Sequence, residues 1–407
     1  MQAQKPPRHL PLLLGTLTAF GPLSIDMYLP AFPQITREMA ARPGAVSLTL
    51  AVFLLAVSLS QVFYGPLADR YGRRKPLLVG CVLYALGSLG CALAPSMGIL
   101  IAARAVQALG GAAGMVVARA VVRDVYHERE AARVFSELML VMGAAPILAP
   151  WLGGKILLLG SWRLIFFLLA GFGAFCWWMT NRGLPETLPH PNRSRENLRG
   201  VFDTFGALLA NRRFLGYALV AGFTAGTNFA YISGSSFVYI ELHGISAQHF
   251  GYFFGANALG LIGAAQINRL LLRRFAPESI LDGSLTINMM AGCALVACGA
   301  TNWGGLPALA ALLFVSLASV GLTFPNLMAA AMAPFGRMAG SASAVLGTVQ
   351  FAVGALAGAL VGLLHNGTAL PMTAVVASCA TGGLIALRTL APSKRLPRPF
   401  VLSVPED

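Results

Sequence analysis

The sequence predicts an all-α membrane protein whose twelve transmembrane helices form two six-helix bundles. Its 407 residues are 57% hydrophobic and only 11% charged, whereas a soluble globular domain carries about 25% charged residues. So few charged side chains cannot cover a water-exposed surface, which excludes an ordinary cytosolic protein, a disordered chain and a disulfide scaffold. Apolar runs recur at about the 20 residues that a helix needs to cross a bilayer, and a polar stretch divides them into two groups.

The apolar runs define twelve predicted helices, numbered here in chain order. They cover residues 10–32, 46–66, 76–95, 98–118, 134–159, 164–181, 214–240, 250–272, 279–301, 305–332, 341–365 and 371–390. An even number of crossings places both termini on the same side of the membrane.

The basic residues indicate which side that is. Most of the 29 lysines and arginines fall in the termini or in connections on one side, such as 67–75 and 119–133. The opposite side receives only Arg37, Arg42 and Arg163. Because connections rich in Lys and Arg stay in the cytoplasm, both termini are predicted to be cytoplasmic. The net charge of +14 is then a topology signal and not a nucleic-acid-binding surface.

A polar stretch near the middle of the chain marks the boundary between the two halves. Residues 182–213 contain several prolines and many charged residues, and we interpret them as a cytoplasmic linker. The predicted domains are an N-terminal bundle at 1–181 and a C-terminal bundle with its tail at 214–407. Two six-helix halves of the same orientation follow the parallel-repeat plan of secondary transporters.

The chain lacks the sequence signatures of an enzyme or a metalloprotein. It has no Walker A loop, no HExxH motif and no GxSxG motif, and no histidine has metal-ligand spacing. The six cysteines fall in predicted helices without a CxxC pair, which favours packing over disulfides. We therefore expect no catalytic activity, no cofactor and no metal. The missing ATP-binding loop indicates that an ion gradient supplies the energy.

The connection after the second predicted helix carries the motif GPLADRYGRRK at 65–75. Its glycines allow a tight turn and close packing, and its aspartate can accept hydrogen bonds at a helix N-terminus. Its arginines can pair with acids on neighbouring helix ends, for which Asp124 and Glu128 are candidates. Such pairs would keep the cytoplasmic side closed in one state; the alternative is a basic membrane anchor. The predicted gating residues are Gly65, Asp69, Arg70, Gly72, Arg73, Arg74 and Asp124.

Two further motifs lie in helices four and five. RAVQALGG begins at Arg104, and GAAPILAPWLGG spans 143–154. With GPLADRYGRRK they resemble the signature sequences of the major facilitator superfamily, and the motif of helix five resembles that superfamily's antiporter motif, with Ala149 where a glycine is usual. Prolines kink a helix and small residues allow close packing, so packing alone is the alternative. The antiporter-helix residues are Gly143, Pro146, Pro150, Gly153 and Gly154.

The stretches PLSIDMYLPAFP at 22–33, RDVY at 123–126 and FVYIE at 237–241 are similar to the bicyclomycin-resistance (Bcr/CflA) family of drug–proton antiporters. The resemblance implies a monomeric transporter of the bacterial inner membrane that exports drugs in exchange for protons by alternating access. It implies small molecules, protons and the lipid bilayer as partners, and no nucleic acid. The alternative is a proton-coupled exporter of a small metabolite such as cysteine or a sugar, because the shape of the cavity decides the substrate.

Two charged residues lie deep inside predicted helices. Asp26 in helix one and Arg104 in helix four each lie about 9 Å from the outer helix end, at a rise of 1.5 Å per residue. A charge at this depth is costly and marks a functional candidate. In the fold that the sequence resembles, both helices line the central cavity, so the two charges could meet there.

The proton-coupling hypothesis rests on these two residues. Asp26 would take up a proton from the outside and release it to the cytoplasm when a drug binds, because water access and the distance to Arg104 change the energy of its charged form. The alternative is a permanent ion pair that fixes helices one and four.

Other polar or polarisable side chains within the helices are further candidates for the cavity wall. Methionine and tyrosine next to Asp26 suit apolar ligands of varied shape. The uncharged polar groups of helices seven, eight, ten and eleven could line the cavity or bond between helices. For Glu137 we expect a pair with Arg133, one turn away. The predicted substrate-binding residues are Asp26, Met27, Tyr28, Arg104, Asn228, Tyr231, Asn257, Asn326 and Gln350.

Overall fold

The computed structural model describes residues 9–188, 198–335 and 339–391. Twelve long helices account for most of them, and no strand occurs in these ranges. The helices are α1 Leu10–Glu38, α2 Ala45–Tyr71, α3 Arg74–Ala92, α4 Met97–Val125, α5 Glu128–Ile156, α6 Arg163–Gly183, α7 Arg212–Ser236, α8 Ala247–Leu271, α9 Pro277–Thr301, α10 Gly305–Met332, α11 Ala339–Leu363 and α12 Leu370–Leu390. The predicted all-α fold is confirmed.

Eleven of the twelve helices are long and apolar enough to cross a membrane, and α7 is not among them. Its sequence begins with Arg212 and Arg213 and contains many Gly, Ser and Thr residues. α7 buries most of these small residues and packs against α11 and α12, so it does not need a wholly apolar surface. It ends in a π-helical turn at Phe237–Leu242.

The helices are longer at one end of the molecule than the sequence predicts. Of the predicted loop 67–75, only Gly72 and Arg73 lie between helices, and α4 and α5 take up nearly all of 119–133. Arginine and lysine have good helix propensity, and their long side chains reach water from a helix end. We call this the arginine-rich end; the opposite end holds the α1–α2, α3–α4 and α5–α6 connections.

α1 is interrupted immediately after Asp26. The helix opens at Met27, passes through a 3-10 turn at Leu29–Ala31 and continues to Glu38. Pro30 has no backbone N–H, so it cannot donate to the carbonyl oxygen one helical turn earlier. The sequence therefore places a break in the helix beside its most deeply buried acid.

The twelve helices pack as two bundles with matching helix pairs. In the first bundle α4 contacts α2 and α3, and α3 contacts α6; in the second, α10 contacts α8 and α9, and α9 contacts α12. Between the bundles, α2 packs against α11 and α5 against α8. Helix two of each half thus meets helix five of the other, as expected for parallel repeats.

The division into domains at 1–181, 182–213 and 214–407 stays a prediction. Within 182–213 the structure contains a helix at Leu198–Ala210 where the sequence predicts a linker, and residues 189–197 lie outside the described ranges. Large apolar side chains project from the bundles, with Leu140 73% and Met290 63% exposed, as expected for a surface that meets lipid. All six cysteines are free thiols.

Candidate functional site

A cavity of about 260 Å³ lies between the two bundles. α1, α4 and α5 line it from the first bundle, and α7, α8, α10 and α11 line it from the second. Its walls are mostly apolar and include Met115, Met142, Phe229 and Phe254. A concave apolar space with a few polar groups is typical of a small-molecule site.

Asp26 alone is charged among the residues that line this cavity. Its side chain is almost completely buried, and its Oδ1 atom has no hydrogen-bond partner among the described residues. A buried carboxylate without a partner is costly as an anion. Protonation, a water molecule or a cationic group of a ligand would each remove that cost.

Arg104 does not pair with Asp26 in this conformation. Its guanidinium donates to the carbonyl oxygen of Ser24 at 3.0 Å and to the Oε1 atom of Gln107. Gln107 in turn donates to the hydroxyl oxygen of Ser88 at 2.8 Å. The predicted meeting of the two charges in the cavity is therefore not found, because hydrogen bonds hold Arg104 among α1, α3 and α4.

Aromatic rings complete the surroundings of Arg104, which has no exposed surface. Its Cζ atom lies 4.4 Å from the ring centroid of Tyr28 and 4.3 Å from that of Phe53. A guanidinium at this distance is attracted by the ring faces. The rings supply part of the stabilisation that a carboxylate would otherwise give, and sequence spacing does not reveal such a cage.

Three of the predicted uncharged polar residues line the cavity, all from the second bundle: Asn228, Tyr231 and Asn257. Asn257 donates from its Nδ2 atom to the Tyr231 hydroxyl oxygen at 2.9 Å. These groups face the same space as Asp26 from the other bundle. Their roles in substrate binding stay predictions.

Met27 and Tyr28 do not line the cavity. The Tyr28 hydroxyl lies 3.1 Å from Oγ1 of Thr49 on α2, and its ring packs on Arg104. The carbonyl group of Met27 lies so close to α5 that a Cβ atom at Gly153 would collide with it. Both residues are part of the helix packing because the break in α1 turns them away from the cavity.

Asn326 and Gln350 also lie outside the cavity wall. Asn326 donates to the Oδ1 atom of Asn268 at 2.7 Å and so joins α10 to α8, which agrees with the alternative of a bond between helices. Gln350 precedes the cavity residue Phe351 on α11, and its Nε2 atom is buried without a partner among the described residues.

The antiporter-like motif of α5 is divided between the cavity and the bundle interface. Gly143 and Pro146 line the cavity, whereas Pro150 is buried in helix packing. A Cβ atom at Gly154 would lie 2.5 Å from the carbonyl oxygen of Ala247 on α8. The small residues therefore allow the two bundles to approach closely at the end opposite the arginine-rich end.

Arg73 is the centre of the predicted gating motif. Its Nε atom donates to Oδ2 of Asp124 at 2.7 Å and its Nη1 atom to Oδ1 of Asp69 at 2.5 Å. Burial disfavours its charge, but the hydrogen bonds with Asp124 and Asp69 keep the pKa of Arg73 above its ordinary value. Gly72 precedes it with a φ of 90°, which favours glycine. These contacts join α2, α3 and α4 within the first bundle.

Glu186, which follows α6, contributes to this cluster although no sequence motif indicates it. Its carboxylate accepts from the backbone N–H of Arg73 at 2.7 Å and of Arg74 at 3.4 Å. Glu186 thus caps the start of α3, a role that the sequence predicts for Asp69, which instead lies in the last turns of α2. Because Glu186 lies far from the motif along the chain, no sequence pattern indicates that the two meet.

Within the described ranges, the remaining residues of the gating motif make no hydrogen bond or ion pair to the second bundle. Gly65 faces open space, and Arg70 stacks on the ring of Tyr71 at 5.6 Å. Arg74 donates to the carbonyl oxygen of Asn181 at 2.7 Å. The side chain of Glu128, a predicted partner, lies outside the described part of the chain.

Glu137 forms the predicted surface pair with Arg133. The Arg133 Nε atom lies 3.3 Å from Oε1 of Glu137, and both side chains are exposed. An exposed pair at this spacing contributes little to stability.

The chain belongs to the Major Facilitator Superfamily, whose family model matches residues 14–359. It is 39% identical to YdgK, an uncharacterized MFS-type transporter of Bacillus subtilis (strain 168), over 92% of this chain and 95% of that protein. It is 33% identical to the bicyclomycin resistance protein homolog of Haemophilus influenzae, over 95% and 97% of the two chains. Multidrug resistance protein D of Escherichia coli (strain K12) is 31% identical, over 84% and 85%.

Solved structures of transporters share the fold. A bacterial homolog of the human lysosomal transporter Spinster, inward-facing and occupied, superposes with a TM-score of 0.74 at 16% identity, over 96% of this chain and 98% of that one. The nucleoside transporter NupG superposes with a TM-score of 0.74 at 13% identity, over 95% and 100%. The protein is therefore a multi-pass membrane transporter and not an enzyme, and its relatives include named drug-resistance proteins.

Proposed function

We propose that this protein exports small drug-like molecules across the bacterial inner membrane in exchange for protons. The observation that carries the proposal is the carboxyl group of Asp26, whose Oδ1 atom has no partner among the described residues, in an apolar cavity between the bundles. The drug-resistance relatives support the substrate class. Export of a small metabolite such as cysteine or a sugar remains the second candidate, since it would use the same carboxyl group.

Competition for Asp26 would couple the two movements. With the cavity empty, the cost of an unpaired anion favours the protonated carboxyl group. A bound substrate that offers a cationic or hydrogen-bonding group favours the ionised form, so the proton leaves. Arg104 donates to the carbonyl oxygen of Ser24, which precedes Asp26 by two residues on α1. It therefore keeps a positive charge near Asp26, and a movement of α1 would change the effect of that charge on Asp26.

Coupled export also requires that the cavity opens to only one side of the membrane at a time, and alternating access would provide this. At the end opposite the arginine-rich end, a Cβ atom at Gly44 would collide with the carbonyl group of Gly362, and one at Gly154 with that of Ala247. Both contacts join the bundles, and they support a state closed at that end. We propose that this end faces the periplasm and that both termini are cytoplasmic, since Lys- and Arg-rich connections stay inside. We also propose that the protein acts as a monomer.

Proton movement in inverted membrane vesicles tests the proposal. Bicyclomycin, amphenicols, sulphonamides and cysteine are added in turn to energised vesicles that contain wild type, Asp26→Asn or Asp282→Asn. The control removes a surface carboxylate that pairs with Arg388 at 2.9 Å. We expect at least one compound to dissipate the pH gradient in wild type and in the control but not in Asp26→Asn. Full proton-linked transport by Asp26→Asn would contradict the proposal, and a response to cysteine alone would favour the metabolite exporter.

A further inference from the structure

On the basis of the proposed export function, we infer that the substrates of this transporter carry an acidic group, which Arg119 and Arg123 bind on the way between the central cavity and the arginine-rich end. Both arginines lie on α4, four and eight residues after Met115. Residues at this spacing share one face of a helix. Met115 lines the central cavity, so this face leads from the cavity toward the arginine-rich end.

The contacts of the two arginines place this face between the bundles. The Arg119 Nε atom donates to the carbonyl oxygen of Met115 at 2.9 Å. Arg123 faces the second bundle, since its Nη1 atom lies 3.8 Å from where a Cβ atom at Gly340 on α11 would stand. Arg119 therefore lies between the cavity and the point where Arg123 approaches the second bundle. Both side chains are exposed, although their neighbours Val121 and Val122 are fully buried.

No carboxylate compensates these two charges among the described residues. The next acid along the helix, Asp124, is bound to Arg73. Two like charges one turn apart repel each other. An anchor at the membrane surface requires only an arginine at the helix end, whereas Arg119 lies one turn closer to the cavity than Arg123. The arrangement is that of a binding site for an anionic group.

The chemistry of the guanidinium group defines the ligand. Two arginines one turn apart bind a carboxylate, phosphate or sulfonate through charge-assisted hydrogen bonds. Arg119 lies one turn, about 6 Å of helix rise, below the cavity residue Met115, so one small molecule can contact both. The structure assigns an amphipathic acid or zwitterion, with its amine or apolar part near Asp26 and its acidic group at Arg119. A purely cationic drug would be repelled here.

Equilibrium binding tests this inference without transport, so it can fail while the proposed export stands. Purified protein in nanodiscs of neutral lipid is titrated with ciprofloxacin, a zwitterion, and with its methyl ester, which lacks the carboxylate. We expect wild type to bind the acid about tenfold more tightly than the ester, the effect of one charge-assisted hydrogen bond. Arg119→Gln should remove this preference and Arg119→Lys should retain most of it. Arg273→Gln, which removes an exposed charge between α8 and α9, should not change it.

Several results would overturn the inference. An ester that binds as tightly as the acid, or a wild type that binds neither, excludes a carboxylate site. Equal losses for acid and ester in Arg119→Gln assign the arginines to gating. A preference that disappears when phosphatidylglycerol is added assigns them to lipid headgroups. Loss of proton movement in the vesicle assay with an intact acid preference would refute the proposed export alone.

Discussion

The two bundles share their helix packing but satisfy their buried polar groups differently. Among the described residues, the buried charged side chains are Asp26, Arg73 and Arg104, and all three belong to the first bundle. In the described part of the second bundle, the buried polar side chains are all uncharged. In the first bundle, Arg104, Gln107 and Ser88 join α4 to α3. In the second bundle, the matching helices α10 and α9 are joined by the Ser316 hydroxyl group, which donates to the Oδ1 atom of Asn288 at 2.7 Å.

This difference indicates a division of roles between the bundles. A neutral hydrogen bond within the membrane keeps the same modest strength whatever the local pH. A buried charge changes its energy with water access and with the position of a counter-charge. The first bundle therefore contains the buried groups whose energy depends on their charge, whereas the second supplies uncharged polar groups to the wall of the cavity.

Removal of the caged arginine should produce the largest effect. Arg104→Leu leaves the Ser24 carbonyl and the Gln107 side chain without their donor, and we expect a loss of about 3–5 kcal/mol of stability. Asn288→Leu, at the equivalent helix pair, should cost only about 1 kcal/mol. Denaturant unfolding in mixed micelles measures both variants. Equal losses of stability in the two variants would show that Arg104 is held no more strongly than the neutral Asn288.

The ion pairs of the two bundles offer a second comparison. Asp124→Asn weakens the partly buried pair with Arg73, and we expect transport to fall about tenfold, as for the loss of a charged hydrogen bond. Asp282→Asn weakens the exposed pair with Arg388, and transport should change less than about twofold. Initial uptake rates in vesicles provide the measurement, and similar losses in both variants would contradict the comparison.

The effect of Asp124→Asn should not depend on pH between about 5 and 9. The pKa of Arg73 is raised above its ordinary value, which already lies above about 12. A raised pKa of a base contributes stability below the unfolded-state pKa and loses it only as the pH rises through the folded-state value. Unfolding of wild type and Asp124→Asn at several pH values tests this, and a difference that shrinks toward pH 9 would contradict it.

The smallest effect should come from single hydroxyl groups. Ser316→Ala removes one neutral bond in the second bundle, and we expect about 0.6 kcal/mol of lost stability with unchanged transport. Ser88→Ala removes the acceptor that positions Gln107 beside Arg104, so its loss should be larger by about 1 kcal/mol. Unfolding of the two variants under the same conditions decides this. A larger loss of stability in Ser316→Ala than in Ser88→Ala would contradict the view that the stronger polar network lies in the first bundle.

The fold follows from the sequence because membrane helices are specified by their length and apolarity. Helix α7 is the exception that shows the limit, since its polarity is compensated by contacts within the bundle. The sequence predicts the ends of α2 and α4 too early and the start of α5 too late, because basic residues at these helix ends resemble a loop. Helix propensity and water at the membrane surface allow those residues to continue a helix.

The candidate site was predicted less completely. Depth along the helix identifies Asp26 and Arg104 as candidates, but it does not indicate in which direction their side chains point. Arg104 lies in an aromatic cage instead of beside Asp26. The partner of the gating motif, Glu186, lies more than a hundred residues from Arg73 along the chain. Tyr28 illustrates the same limit: proximity to Asp26 in sequence does not determine which way a side chain points when a proline interrupts the helix.

Proton release on substrate binding tests the central claim, that the proton site lies at Asp26 in the charged first bundle. Purified wild type, Asp26→Asn and Asp282→Asn are mixed in weakly buffered solution with a compound that moves protons in the vesicles, and a pH indicator follows the reaction. We expect wild type and Asp282→Asn to release up to about one proton per bound molecule, and Asp26→Asn to release none. Release by Asp26→Asn at the wild-type level, with substrate bound, would place the proton site elsewhere.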